Sequence, residues 1–264
     1  ILITGPTGSG KSTTLAGMLK KINSEDVNIV TLEDPIEYFV DGVNQSQIHE
    51  EIGYTFANGL RHILRQDPDI IMVGEIRDRE TASLATQAAL TGHIVISTLH
   101  TNDAMGVVPR LIDMGVENYL IPSTLNVAAA QRLLSRLCHD CKLQVKTNTA
   151  EEKMISDSIL EMPAEYQSKF ISKSGYTIYK PNKENPCKKC GGKAFKGRIG
   201  IFEMMEMSDE LEKIILGTIS ESAMRAEAKR QGMITMFQDG ILKMLEGLVS
   251  LEELLEVAQA GDSA

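Results

Sequence analysis

The residues with the clearest chemical meaning are Gly5, Pro6, Thr7, Gly8, Ser9, Gly10, Lys11 and Ser12, consecutive positions that fit the spacing G-x-x-x-x-G-K-[ST]. The glycines let the backbone wrap closely around phosphate oxygens. The N–H groups at the start of the following helix are unpaired donors that favour negative charge. In that arrangement Lys11 neutralises β- and γ-phosphates and Ser12 holds Mg²⁺. A plainer reading is a Gly-rich turn ahead of an ordinary helix. The flanks argue against it, because residues 1–4 read as the end of a buried strand and residues 13–19 as a continuing helix.

Four further groups carry chemistry. Glu33, Asp34 and Glu37 follow directly on the apolar run 27–32. In open α/β sheets ligands bind beyond the C-terminal strand ends, which is where these acids fall; the alternative is a solvated acidic turn. The run 69–73 ends on Gly74 and Glu75, an apolar strand delivering a carboxylate to a metal or an attacking water. The acid usual at the end of such a run is here Gly74, so Glu75 carries the carboxylate alone. Mg²⁺, which keeps several waters, is then held mainly by Ser12, phosphates and waters. His100 also falls at a strand end, after 93–98. It is read as a γ-phosphate contact or sensor in preference to a structural histidine.

The fourth group is Cys138, Cys141, Cys187 and Cys190, two C-x-x-C pairs with glycines directly after the second. The spacing within each pair suits a tetrahedral, four-thiolate zinc site, closed and therefore structural. The intervening residues 142–186 exceed the ~15–20 residues of a usual zinc ribbon. Loop-closure entropy grows slowly with length, so the site survives the longer gap. Four free buried thiols are the alternative.

The elements that must position these groups alternate. Strands are expected at 1–4, 27–32, 69–75 and 93–98, with helices at 13–22, 56–65 and 79–91 between them. This pattern predicts an α/β fold with a mostly parallel sheet flanked by helices. Residues 43–48 read as a short edge strand, and 104–137 as helical with breaks near Gly115 and Pro122. The segment 142–186 is polar and carries no chemistry of its own, and 197–203 returns to strand. Short helices follow Ser208, the last opened by a capping box at Ser250–Glu253. Asp239, Lys243 and Glu246 fall on the polar, solvated face of the helix before it. Three divisions are expected: a core over 1–137, a tetracysteine element with its polar insertion over 138–200, and a C-terminal helical subdomain over 201–264. Ile1 stands only four residues before Gly5, whereas a strand of average length would carry about two more upstream. The numbering is therefore expected to begin partway through a larger protein.

The chain has 264 residues, 42% apolar, and a formal net charge of −9. That is enough apolar material for a proper core. The acidic total argues against broad nucleic-acid binding. A local basic stretch of Lys188, Lys189, Lys193, Lys196 and Arg198 keeps one alternative in view: a P-loop nucleic-acid motor with a zinc ribbon. No apolar run approaches the ~20 residues of a membrane-spanning helix.

Taken together, the motifs resemble one family over nearly the whole chain: the ATPases of type II secretion and type IV pilus assembly, the GspE/PilB family. They stand here as the phosphate loop from Gly5 to Thr13, the aspartate box 31–37, the strand-end motif Val73-Gly74-Glu75-Ile76-Arg77-Asp78 and the histidine box 98–102. The ending Gly74-Glu75 is what this family shows. The two C-x-x-C pairs followed by Gly197-Arg198-x-Gly200-x-x-Glu203 resemble the assembly and secretion branch; pilus retraction motors share the histidine box but lack the cysteines. The resemblance implies a RecA-like P-loop NTPase that hydrolyses ATP with Mg²⁺ as a homo-hexamer. It implies a cytoplasmic location, peripheral at the inner face of the membrane, where the motor works on an inner-membrane platform protein to extrude pilin or pseudopilin. Glu37 and Glu75 match the family's functional carboxylates, either of which orients or deprotonates the attacking water. Glu33 and Asp34 join the nucleotide side, and Arg77 is one of the arginines of this chain that could contribute across a subunit interface. An upstream domain supplying further arginines is also implied.

Overall fold

The computed structural model describes residues 1–172 and 175–262. The chain divides into two compact units, residues 1–130 with 205–228, and residues 131–204 with those from 229 onward. In the first unit, β1 (Leu2–Thr4) leads to α1 (Lys11–Ile22), β2 (Ile29–Glu33), β3 (Asn44–Gln47), α2 (Phe56–Ile63), β4 (Ile70–Val73), α3 (Arg79–Leu90) and β5 (Ile94–Leu99). Then come α4 (Val107–Asp113), α5 (Ile121–Thr124) and β6 (Val127–Leu137), whose residues beyond Ala130 belong to the second unit. That unit adds β7 (Leu143–Lys146), α6 (Thr149–Leu160), α7 (Ala164–Phe170), β8 (Thr177–Lys180) and most of β9 (Phe195–Glu206). The chain ends with α8 (Asp209–Leu216), α9 (Glu221–Arg230), α10 (Met236–Leu245) and α11 (Leu251–Asp262). Among the described residues no helix is long and apolar enough to cross a membrane.

The main sheet has seven strands in the order β3-β2-β4-β5-β1-β6-β9, and the first six run parallel. Its central strands are apolar on both faces because helices cover both. One face sets Ile3, Ile29, Ile70, Met72 and Ile96 against Leu15 and Leu19 of α1. On the other, Leu32 meets α2 so closely that a Cβ on Gly59 would stand 2.6 Å from its Cδ2. The parallel sheet and edge strand expected from the sequence are present. The helical reading of 127–137 is overturned: this Ala-rich stretch is strand β6, with Ala128, Ala129 and Ala130 paired in parallel to Leu2, Ile3 and Thr4. Helix propensities differ by only ~0.7 kcal/mol per residue or less among ordinary residues. Pairing with the otherwise open edge of β1 outweighs that preference, and the small side chains are buried there.

The second unit has its own core, in which Ile155, Ile159, Tyr176 and Ile178 pack with Leu134, Ile201, Ile241, Met244 and Leu254. The segment 142–186 is therefore structural and apolar at its heart: β7 and β8 form an antiparallel pair, and Asn148 caps α6 in a reciprocal box with Glu151. Asp239 and Lys243 also depart from the solvated reading. Their side chains are only 16% and 20% exposed and paired with each other, and Asp239 accepts the Phe202 N–H at 2.8 Å. Glu246 is exposed as expected.

Candidate functional site

The loop between β1 and α1 is shaped by backbone that only glycine adopts readily. Gly8 has φ +81° with open space around a notional Cβ, so conformation alone excludes larger residues there. Gly10, at φ 90°, caps α1 and turns the free N–H groups of the helix start toward the loop. Lys11 reaches back to donate to Gly5 O at 2.7 Å and Pro6 O at 3.1 Å. Burial pushes its ammonium below the ordinary lysine value, and the Glu75 carboxylate opposes that shift. Pro6, Thr7, Ser12 and Thr13 are exposed, whereas Gly5 and Ser9 are buried.

Glu75 stands just past β4, its side chain only 13% exposed. His100 Nε2 lies 3.4 Å from one carboxylate oxygen, and Arg77 pairs with the other. Arg77 is 60% exposed, so this pair contributes at most ~1 kcal/mol to stability; its effect is to fix the direction of the carboxylate. The hydrogen bond that Arg77 donates to Glu75 holds its guanidinium above the ordinary value, with Asp34 and Glu50 adding their fields. Lys11, Glu75, Arg77, His100 and Asp34 thus share one region at the C-terminal end of the sheet.

Gly74 has a packing reason. Its N–H donates to Leu32 O at 2.7 Å, and a Cβ there would stand 3.1 Å from that oxygen and 3.6 Å from Phe56 Cε1. The side chain usual at this position has no room. The segment is held from β5 as well: Ser97 Oγ donates to Val73 O at 2.6 Å and Thr98 Oγ1 to Gly74 O at 2.7 Å.

Glu33 and Glu37 part company. Glu33 Oε1 accepts from Thr31 at 2.7 Å and from Gln45 at 2.8 Å, while Glu37 is exposed on the loop that follows. Gln45, on edge strand β3, also donates to Tyr38 O at 3.0 Å and accepts the Val40 N–H at 2.8 Å. Tyr38 OH lies 3.1 Å from Thr13 Oγ1. Sequence reasoning missed Gln45 and Ser97, and it named Thr98 only as part of the histidine box, not as a support for Gly74. Two hydroxyls at the end of an otherwise apolar buried strand were the only signal for Ser97 and Thr98.

The four cysteines converge in the second unit. Their sulfurs all lie within 4.8 Å of one another, with Cys138–Cys187, Cys187–Cys190 and Cys141–Cys190 at 3.6, 3.8 and 3.9 Å. Sulfurs at ~2.3 Å from a tetrahedral zinc stand about 3.8 Å apart, whereas a disulfide needs about 2.0 Å. Gly191 and Gly192, at φ 64° and 77°, turn the chain directly after Cys190, as tight thiolate clustering requires. The donor set fits a structural zinc. Beside it, Lys189 pairs with Asp140 at 2.6 Å.

The model of the family described as "Type II/IV secretion system protein" matches residues 1–256. The chain is similar to the type IV pilus assembly ATPase PilB of Thermus thermophilus, 46% identical over 254 residues that cover 96% of this chain and 27% of that protein. It is 46% identical over 259 residues to the type II secretion system ATPase E of Vibrio cholerae, covering 98% of this chain and 48% of that one. Among solved structures, the pilus retraction motor PilT with bound ADP aligns with a TM-score of 0.67 at 30% identity, over 97% of this chain and 60% of that one. The chain spans less than half the length of these two curated relatives. On the extent of the family match, the chain belongs to the type II/IV secretion system protein family.

Proposed function

We propose that this chain is the catalytic part of an ATP-hydrolysing motor that powers type IV pilus assembly or type II secretion. The observation that carries the reading is the placement of a nearly buried carboxylate, Glu75, in the same region as Lys11 and His100, at the strand ends beside a glycine loop of phosphate-binding pattern. Parallel strands with helices on both faces support a RecA-like P-loop NTPase. In this reading the loop from Gly5 to Thr13 cradles the phosphates of ATP, Lys11 neutralises charge developing on the γ-phosphate, and Ser12 holds Mg²⁺. Glu75 orients or deprotonates the attacking water, with Glu37 as the other candidate; His100 contacts the γ-phosphate. Glu33 and Asp34 stand on the nucleotide side, and the exposed Arg77 serves a neighbouring subunit. Cys138, Cys141, Cys187 and Cys190 hold zinc as a structural element.

The relatives in pilus assembly and type II secretion support a homo-hexamer. They also support a cytoplasmic location at the inner face of the membrane and an inner-membrane platform protein as partner. The test is phosphate release from ATP against protein concentration for the wild type, Lys11→Ala and Glu75→Gln. Turnover that rises faster than concentration and is lost in both variants supports a motor with sites completed between subunits. Turnover strictly proportional to concentration refutes that part of the reading. Full turnover in Glu75→Gln with none in Glu37→Gln would exchange their roles.

A further inference from the structure

The turn that carries His100 is not held by its own strand alone. Thr4, the last residue of β1 and wholly buried, meets that turn with a single side-chain oxygen. Its Oγ1 accepts the Thr101 N–H at 2.7 Å and lies 2.8 Å from Thr101 Oγ1, 3.1 Å from Leu99 O and 3.2 Å from Thr101 O. A hydroxyl has one proton to give. Thr101 Oγ1 spends its own on Asp103 O at 2.7 Å, so the Thr4 proton goes to Thr101 Oγ1, the nearest acceptor. A directed chain results: Thr101 N–H to Thr4, Thr4 to Thr101 hydroxyl, Thr101 hydroxyl to Asp103 carbonyl. His100 lies between Leu99, whose carbonyl stands 3.1 Å from Thr4 Oγ1, and Thr101, whose N–H that oxygen accepts, and its Nε2 faces Glu75. Thr4 is also bonded through its own peptide to Gly5, the first residue of the phosphate loop.

We infer that Thr4 is a positioning residue that sets His100 against Glu75 and ties that pair to the phosphate loop. This rests on the proposed ATPase reading for its consequence but not for its geometry. Removing the hydroxyl leaves Leu99 in its ladder with β1 but unties Thr101 from it, and lets the imidazole drift from the carboxylate, while the loop and Lys11 keep their own contacts. Catalytic groups displaced by about 1 Å lose on the order of a hundredfold in rate, so a loss of about tenfold or more in turnover is expected for Thr4→Val, with ATP affinity unchanged.

The experiment uses the full chain and two readouts. The first needs no activity: the His100 ring resonance, assigned with His100→Ala, is followed by NMR on introducing Glu75→Gln. In the wild type and in Thr4→Ser the resonance moves; in Thr4→Val it stays still, because the two side chains no longer meet. Thr101→Val, at a half-buried position, gives the same loss should Thr4→Val fail to fold. The second readout is turnover and ATP binding. Thr4→Val lowers kcat, Thr4→Ser recovers it, and Thr4→Val adds nothing in a His100→Ala background. The inference is overturned if the resonance responds to Glu75→Gln equally in Thr4→Val, or if Thr4→Val lowers kcat as much without His100 as with it. A wild type that binds ATP without turning it over would sink the functional reading, and the NMR result would still decide the role of Thr4.

Discussion

Gly74→Ala tests why this sequence has no side chain where an acid is usual. The added methyl carbon would stand 3.1 Å from Leu32 O, an oxygen that already accepts the Gly74 N–H at 2.7 Å, with the Phe56 ring edge 3.6 Å away on another side. The closest neighbour is backbone in the central sheet, so β4 and β2 must separate by a few tenths of an ångström. Overpacking of this kind costs about 1–3 kcal/mol, which lowers Tm by roughly 2–10 °C in a chain of this size. The shift also carries Glu75 away from His100, and turnover should fall about threefold to tenfold by the same scale on which 1 Å costs about a hundredfold. Gly17→Ala is the control: it lies in α1 with nothing within 4 Å of a notional Cβ, so it should stabilise by about 0.5–1 kcal/mol. Thermal unfolding by circular dichroism, with phosphate release alongside, reads both variants. If Gly74→Ala melts with the wild type, the close approach is not what excludes the side chain, and the explanation for the missing acid fails.

Gln45→Leu removes three hydrogen bonds that hold Glu33 and the loop bearing Glu37; amide exchange at Val40 should quicken and turnover drop, with a stability loss of about 1–3 kcal/mol. An unchanged Val40 exchange rate would count against the clamp. Asp239→Ala leaves the Phe202 N–H without its acceptor and should cost about 1–3 kcal/mol in urea unfolding, whereas a solvated aspartate would cost under about 0.5 kcal/mol. Metal analysis should find about one zinc per chain; chelation or Cys190→Ser should remove it and lower the unfolding midpoint of the second unit, because binding energy of such a site is folding energy. ATP affinity, carried by the first unit, should be unaffected; a parallel loss of ATP binding would refute that separation.

The parallel sheet was legible because its strands are apolar on both faces and end in Gly, Glu or Asp at the proper side. The glycine loop between β1 and α1 was legible because its glycines and Lys11 are local in sequence, and the cysteine cluster because the cysteines come in pairs. What escaped was set by distant partners. Residues 127–137 look helical until β1 offers an edge to pair with, and Asp239 looks solvated until Phe202 N–H is brought to it by β9. Gln45 is one of four polar residues in β3, and only the return of the chain through Tyr38 and Val40, with Glu33 beside it, gives its amide three partners.

The position of β1 has a consequence for how the protein is made. Leu2 pairs with Ser97 on one side and Ala128 on the other, so the strand that delivers the glycine loop is made well before either of its neighbours. At about 5–20 residues per second of synthesis, an interval on the order of ten seconds separates the appearance of Thr4 from that of Ala130. Until β5 emerges the glycine loop has no scaffold, and until β6 emerges one edge of β1 is open to wrong partners. Such non-local pairing also makes for slow folding once the chain is complete. The segment most specific in sequence is therefore among the last to acquire its shape, and holding β1 apart until β6 emerges falls to whatever receives the nascent chain.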